Sequence, residues 1–205
     1  NMKIEQKLSD FFCKNLDFSD FGVFTLKKEK LIKLSNEMQV EVLKKILVTC
    51  SGSVYPPKKK KIELFLRGCY FDKPYRTSLH SCILEFRKDL IHIYREYDKI
   101  IKTTPDCIQI KKNKSFMWDG RFEVNAIKYD LKCLIMKDGI WLKLKQKYHQ
   151  IRIDKKISYE ILKTLPVIKV KKELYIPFLT QNKNISNYPY KIKFNPQIPI
   201  TKKNF

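Results

Sequence analysis

Apolar and polar positions change their spacing near residue 70. Between residues 36 and 68, apolar side chains recur every three or four positions, which is the period of a helix buried on one face. We expect one helix from Asn36, with Ser35 or Asn36 as its N-cap and a stop at Ser51-Gly52-Ser53. A second helix should begin at Pro56-Pro57 and stop at Gly68. The pattern predicts two short packed helices, preceded by a weakly helical stretch over residues 1–20.

From residue 79 the apolar positions alternate with polar ones, which is the period of a strand with one buried face. The pattern predicts strands at Leu79–Phe86 and Leu90–Glu96, joined as a hairpin at residues 87–89. Further strands are expected at about 106–112 and 116–124. Asp138-Gly139 is the strongest hairpin dipeptide in the chain and should join strands Leu131–Met136 and Ile140–Gln146.

The last third of the chain predicts one more helix and three closing strands. The helix is expected over residues 157–164, ended by Pro166, and the strands at Val167–Val170, Leu174–Phe178 and Tyr190–Phe194. The element order predicts an α+β fold, in which an N-terminal helical segment is followed by a mainly antiparallel, β-rich C-terminal domain. A boundary near residue 105 would divide the chain into 1–104, helices plus a hairpin, and 105–205, an α+β domain.

The charge of the chain points to a polyanionic partner. Forty-three basic residues against 21 acidic ones give a net charge of +22, and neutralising phosphates would release counterions. No acidic residue follows Glu173, whereas Lys183, Lys191, Lys193, Lys202 and Lys203 do. We expect nucleic acid, most of all RNA, as the partner. A lysine-rich surface that serves only solubility is the alternative.

The sequence offers few groups for catalysis, metal binding or membrane association. Its six cysteines have no C-x-x-C spacing, so we interpret them as reduced, and no glycine-rich phosphate loop occurs. His80 and His92 could face each other across the first hairpin, but no further ligand supports a metal and a structural role is favoured. No apolar stretch has the length of a membrane span, so we expect no membrane partner and a cytoplasmic location.

Candidate RNA-binding residues are runs of lysine and the scarce arginines, whose planar guanidinium suits phosphate. Lys143, Lys145 and Lys147 are every second residue along a predicted strand, so their side chains would form a positive stripe on one of its faces. Phosphate binding or codon bias could explain the run at 58–61. The predicted set is Lys58, Lys59, Lys60, Lys61, Arg87, Arg95, Arg121, Lys143 and Lys145.

Three blocks of residues occur in an order that resembles the C-terminal half of tRNA(Ile)-lysidine synthetases. The first runs from Met38–Lys45 to the hairpin at Ser78–Glu96, which contains S-L-H-S-C-I-L and L-I-H-I-Y-R-E. The second is F-M-W-D-G-R-F at Phe116–Phe122. The third, Ile157–Phe178, contains Leu165-Pro166-Val167 and Leu174-Tyr175-Ile176-Pro177. Together the blocks cover about 140 residues of the chain.

The resemblance implies that catalysis and tRNA binding belong to different domains. In that family an N-terminal ATP-pyrophosphatase domain adenylates the wobble cytidine of an isoleucine tRNA, lysine then displaces AMP, and the C-terminal domains grip the tRNA. ATP and magnesium belong to the N-terminal domain, whose nucleotide loop is absent here. No cofactor and no catalytic residue is therefore carried over, and the chain alone is predicted to be inactive. The implied partners are tRNA and a catalytic domain, attached or separately encoded. A free-standing basic protein associated with RNA or ribosomes is the alternative.

Overall fold

The computed structural model describes residues 2–71, 73–180 and 188–201, in which eight helices and twelve strands form two compact units. Unit 1 contains the chain up to Glu96 and the segment from Pro196, and unit 2 contains Tyr97–Asn195. All strand pairs in the described residues are antiparallel, which confirms the predicted α+β class. The domain boundary near residue 105 stays a prediction. Lys183, Lys202 and Lys203 lie outside the described residues.

Unit 1 has four helices in its described residues, of which the first, third and fourth were predicted, and the fourth begins at Lys59 instead of Pro56-Pro57. They are α1 (Met2–Asn15), α2 (Lys28–Ile32), α3 (Asn36–Ser51) and α4 (Lys59–Cys69). The Ser35 hydroxyl caps α3 by accepting from the Met38 N–H, and Gly52 ends the helix with a left-handed φ of 68°. Both predicted ends of α3 are therefore confirmed. α4 packs against α3 and buries Ile62, Phe65 and Leu66.

The sheet of unit 1 has the order β1-β2-β5-β4-β3. Its strands are β1 (Leu16–Phe18), β2 (Phe24–Lys27), β3 (Tyr75–Leu79), β4 (Cys82–Arg87) and β5 (Leu90–Arg95). The hairpin at residues 87–89 is confirmed, because Arg87 pairs with Leu90 around Lys88 and Asp89, both with positive φ. The single strand predicted over Leu79–Phe86 is wrong at its start. Leu79 ends β3, and the chain turns at His80-Ser81 before β4.

Unit 2 contains two sheets, with four strands in order β11-β10-β9-β6 and three in order β12-β8-β7. The strands are β6 (Cys107–Ile110), β7 (Ser115–Trp118), β8 (Phe122–Ala126), β9 (Leu131–Ile135), β10 (Pro166–Val170), β11 (Glu173–Tyr175) and β12 (Tyr190–Phe194). The strand predicted over 116–124 is instead a hairpin. Its turn holds Asp119 and Gly120, with φ of 49° and 65°.

Four helices complete unit 2: α5 (Tyr97–Thr103), α6 (Asp138–Asp154), α7 (Tyr159–Lys163) and α8 (Pro177–Thr180). The short helix predicted over 157–164 corresponds to α7, whereas β11 ends at Tyr175 and Phe178 lies in α8.

The hairpin predicted at Asp138-Gly139 and the strand predicted at Ile140–Gln146 are wrong, because both segments belong to α6. Trp141, Leu144 and Tyr148 are buried at helical spacing, and burial of that stripe prevails over the local alternation of apolar and charged residues. Asp138 lies in the first turn, where a carboxylate is favourable beside the exposed N–H groups of the helix.

Candidate nucleic-acid interface

In unit 1, the predicted lysine run lies at the start of α4, and Arg87, at the end of β4, lies near the other end of that helix. Lys58–Lys61 begin the helix and are exposed, with Lys59 Nζ 3.8 Å from Glu63. The Tyr75 ring packs on Phe65 and Gly68 in the second half of α4, and Tyr75 pairs with Phe86, the neighbour of Arg87. Arg87 is exposed and forms an ion pair with Glu85 at 2.6 Å. An 11-residue helix is about 16 Å long, so these cations do not form one cluster.

Arg95 and Arg121 are buried, and their guanidinium groups contact the protein itself. Arg95 is 5% exposed, and its Nη1 donates to the Ser81 carbonyl oxygen at 3.0 Å. Arg121 is 0% exposed, and its Nε donates to Asp119 Oδ2 at 2.8 Å. A phosphate in solvent cannot reach either guanidinium group, so neither arginine is part of the candidate interface.

Lys143 and Lys145 are exposed but lie on α6, so the positive stripe predicted along a strand is wrong. Two residues of separation turn a helix by about 200°, which directs Lys143 and Lys145 to opposite flanks. Lys147 lies with Lys143, and its Nζ is 5.4 Å from the centre of the Tyr175 ring. A contact of Lys143 or Lys145 with RNA stays a prediction.

A larger group of lysines, not predicted from the sequence, meets at one end of the four-stranded sheet of unit 2. Ile110 at the end of β6 pairs with Leu131 at the start of β9, and Val170 at the end of β10 pairs with Glu173. The loops that leave this end therefore start side by side. We call these lysines the basic end: Lys111, Lys112, Lys114, Lys128, Lys132, Lys169, Lys171 and Lys172.

Hydrogen bonds and ion pairs tie the loops of the basic end together. Asp130 accepts from the Lys112 N–H at 2.8 Å and from Lys111 Nζ at 3.1 Å, which joins the β6–β7 loop to the β8–β9 loop. Ala126 donates from its N–H to the Lys114 carbonyl oxygen at 3.0 Å. Lys171 Nζ lies 4.4 Å from the centre of the Tyr129 ring, and this contact joins the β10–β11 turn to the β8–β9 loop.

The charges of the basic end are unbalanced. Lys132 lies directly opposite Lys169 in the strand register, and like charges in that position destabilise a sheet. Lys171 has a φ of 53°, a conformation in which glycine or asparagine is the usual residue. Two carboxylates lie near these lysines, Asp130 in the β8–β9 loop and Glu173 at the start of β11. The N–H of Lys112 and the side chain of Lys111 lower the pKa of Asp130, so it stays a carboxylate. The excess positive charge favours an external polyanion.

Other features of the described residues suit phosphate or metal ions poorly. A groove of about 480 Å³ between α1, α3 and α4 is lined by Glu5, Glu37 and Glu41, which repel phosphate. His80 lies in the β3–β4 turn, not in a strand opposite His92, and His92 Nδ1 is 3.1 Å from Thr25 Oγ1. Within the described ranges, no three His, Cys, Asp or Glu side chains are placed to hold a metal ion. No helix in these ranges combines the length and apolarity needed to span a membrane.

Fold and site together define a basic α+β protein whose lysine-rich loops are suited to a polyanion. No family model matches the sequence. Several curated proteins named tRNA(Ile)-lysidine synthase align with most of it. The Rickettsia felis protein is 24% identical over 200 residues, which cover 95% of this chain and 45% of that protein. The Rickettsia conorii protein is 26% identical over 183 residues, 86% of this chain and 37% of that protein. The Rickettsia akari protein is 25% identical over 188 residues, 89% of this chain and 43% of that protein.

These alignments confirm the resemblance carried by the three residue blocks. The chain spans less than half the length of the curated relatives it matches.

Proposed function

We propose that this chain acts as the C-terminal, tRNA-binding portion of a tRNA(Ile)-lysidine synthase and that the basic end contacts the tRNA backbone. The observation that carries the proposal is the gathering of lysines from separate loops, in a chain that aligns with such synthases over 86–95% of its length. Cytoplasmic location follows from the same role, because tRNA is modified there.

Lysine-rich loops recognise RNA by charge and shape. An ammonium group binds phosphate as a point charge and lacks the planar fork with which arginine reads base edges. A-form RNA also hides its base edges in a deep major groove, so backbone contacts position the molecule and shape supplies most of the selectivity. The basic end therefore holds the tRNA, and it does not read a sequence.

The chemistry of the proposed reaction lies outside this chain. Joining lysine to the wobble cytidine requires ATP and magnesium, which we assign to a catalytic domain in the part of the relatives that this chain does not cover. That domain is attached to this chain or is a separate partner. We assign no catalytic residue here and expect no turnover from the chain alone.

The direct test removes four lysines of the basic end. The variant Lys111→Ala, Lys112→Ala, Lys171→Ala and Lys172→Ala should bind tRNA about a thousandfold more weakly at about 0.1 M salt, because each phosphate contact adds to the counterion release. Filter binding measures the dissociation constant. The matched control replaces Lys3, Lys7, Lys14 and Lys33 of unit 1, which are also exposed, and changes the net charge equally.

Equal affinities of the two variants would contradict the assignment to the basic end. Competition then separates the two candidate functions. Isoleucine tRNA should displace the bound probe better than an unrelated structured RNA does. Equal displacement by both competitors would favour the alternative, a general RNA- or ribosome-associated protein.

A further inference from the structure

Tyr129 is an exposed aromatic residue within the basic end. The residue is 46% exposed, and in the described part of unit 2 Phe116, at 37%, is the other exposed aromatic residue. The neighbouring aromatic residues of unit 2 are packed. Trp118 and Phe122 lie in the core, and Tyr190 is 2% exposed in a cluster with Tyr175. An exposed aromatic ring among cations is the combination with which proteins bind the bases and phosphates of single-stranded nucleic acid.

The backbone around Tyr129 is fixed on both sides. The N–H groups of Ile127 and Lys128 both donate to the Pro189 carbonyl oxygen, at 2.9 and 3.2 Å. After Tyr129, Asp130 holds the Lys111 side chain and the Lys112 N–H. The loop backbone that carries the ring is therefore ordered before any ligand binds, so binding costs little entropy for ordering this backbone.

A cation already lies against the Tyr129 ring. Lys171 Nζ is 4.4 Å from the ring centre, within the range of a cation–π interaction. Because Tyr129 is also 46% exposed, its ring can accept a second flat group by stacking. The lysines of the same loops supply positive charge around that position.

We infer that Tyr129 stacks on the base of an unpaired RNA nucleotide, while the exposed side chains of Lys112 and Lys172 neutralise the phosphates beside it. The inference rests on the proposed function and adds to it a contact with single-stranded RNA. A paired base lies inside the helical stack and offers no free face, whereas an unpaired base can stack on an aromatic side chain. A protein partner would need many carboxylates to match this surface, whereas RNA has one phosphate per nucleotide.

The experiment compares two RNA hairpins that share one stem, one blunt and one with a short single-stranded 3′ overhang. The full chain should bind the overhang probe about tenfold more tightly than the blunt probe, because one stacked base contributes on that scale. Tyr129→Ser should abolish this preference, so that the variant binds the overhang probe and the blunt probe equally. Tyr129→Phe keeps the ring and should keep the preference.

Tyr55→Ser is the matched control, because Tyr55 is 77% exposed but lies in unit 1. It should leave the preference unchanged. A 2-aminopurine base in the overhang reports stacking directly, and its fluorescence should be quenched by the wild-type chain and not by Tyr129→Ser. An overhang preference that survives in Tyr129→Ser, or wild-type binding without preference, overturns the stacking inference.

The outcomes also separate this inference from the proposed function. Equal binding of both hairpins refutes stacking but leaves backbone binding intact, whereas no binding of either hairpin at low salt refutes the proposed function itself. Polyglutamate carries negative charge without bases. If it displaces the overhang probe as well as unlabelled overhang RNA does, the surface recognises acidic polypeptides and the stacking inference is wrong.

Discussion

Arg121 is a buried cation whose role in the structure is internal. Both Arg121 and its ion-pair partner Asp119 have almost no exposed side-chain surface, at 0% and 3%. The Arg121 Nη2 also donates to the Thr164 carbonyl oxygen at 2.9 Å, and the guanidinium carbon lies 4.9 Å from the centre of the Phe122 ring. The arginine thus links the β7–β8 turn to the end of α7.

Loss of the Arg121 side chain should destabilise the chain strongly. Arg121→Ala leaves the carboxylate of Asp119 buried without its ion-pair partner, and we expect the free energy of unfolding to fall by about 3–5 kcal/mol. Arg121→Lys should restore only part of the lost free energy of unfolding, because an ammonium group cannot reproduce the contacts of the planar guanidinium group. Urea unfolding measures both variants. A loss below about 1 kcal/mol for Arg121→Ala would contradict a structural role.

The six cysteines should fall into two classes of reactivity. Cys13 and Cys107 are exposed, whereas Cys50, Cys69, Cys82 and Cys133 are buried. Burial raises the pKa of Cys69 to about 12 and also raises the pKa of Cys133, which suppresses the reactive thiolate. Titration with a chromogenic disulfide near about pH 8 should show two fast thiols, and all six should react in denaturant. Four or more fast thiols in the native chain would contradict the buried positions.

Several residue-level predictions could be made from the sequence because they depend only on residues that are close in the chain. The Ser35 cap and the Gly52 stop of α3 belong to this group, and the structure confirms both. Burial of Arg121 could not be predicted, because it depends on Thr164, which is distant in sequence.

At the scale of elements, two glycines of unit 2 test the assignment of α6. A methyl group on Gly139 would meet no atom within 4 Å, and the residue lies in the first turn of the helix. Gly139→Ala should therefore stabilise the chain by about 0.5 kcal/mol, since alanine loses less backbone entropy on folding. In the hairpin predicted from Asp138-Gly139, this glycine would need a positive φ and the substitution would destabilise.

Gly120→Ala is the matched comparison. Gly120 has a φ of 65° in the β7–β8 turn, where a Cβ costs about 1–2 kcal/mol. Thermal unfolding of the two variants should shift in opposite directions. A loss of stability in Gly139→Ala as large as that in Gly120→Ala would contradict the helical start of α6.

The prediction for α6 was wrong because two periods overlap in its sequence. Residues 142–145 alternate leucine and lysine over one short stretch, which favours a strand. The longer spacing of Trp141, Leu144 and Tyr148 is helical and prevails because it buries three large side chains. By contrast, α3 was predicted with both of its ends because its pattern runs for four turns between a serine cap and a glycine stop.

At the scale of the whole molecule, salt should weaken RNA binding steeply. If about six lysines of the basic end contact phosphates, the logarithm of the binding constant should fall with the logarithm of salt concentration with a slope of about −4 to −5. Filter binding at several salt concentrations measures this slope. The fourfold alanine variant of the basic end should reduce its magnitude by about 3, and the fourfold unit 1 control should leave it nearly unchanged. A slope near zero would contradict phosphate binding.

The basic end could not be predicted from the sequence, although the excess charge was evident. Its lysines come from segments around residues 111–114, 128–132 and 169–172, and only the pairing of β6, β9 and β10 makes them neighbours. Each segment alone has the same appearance as many other lysine-rich stretches of this chain. The register of the sheet is what distinguishes them.

The facing pair of Lys132 and Lys169 gives salt two opposite effects. Counterions screen the repulsion across these strands and so should raise the melting temperature of the free protein, while the same counterions compete for RNA. Calorimetry at increasing sodium chloride should show this rise, and Lys169→Thr should make it smaller. Bound RNA would take the place of the counterions at this pair, so the ligand would also complete the electrostatic balance of the sheet that holds it.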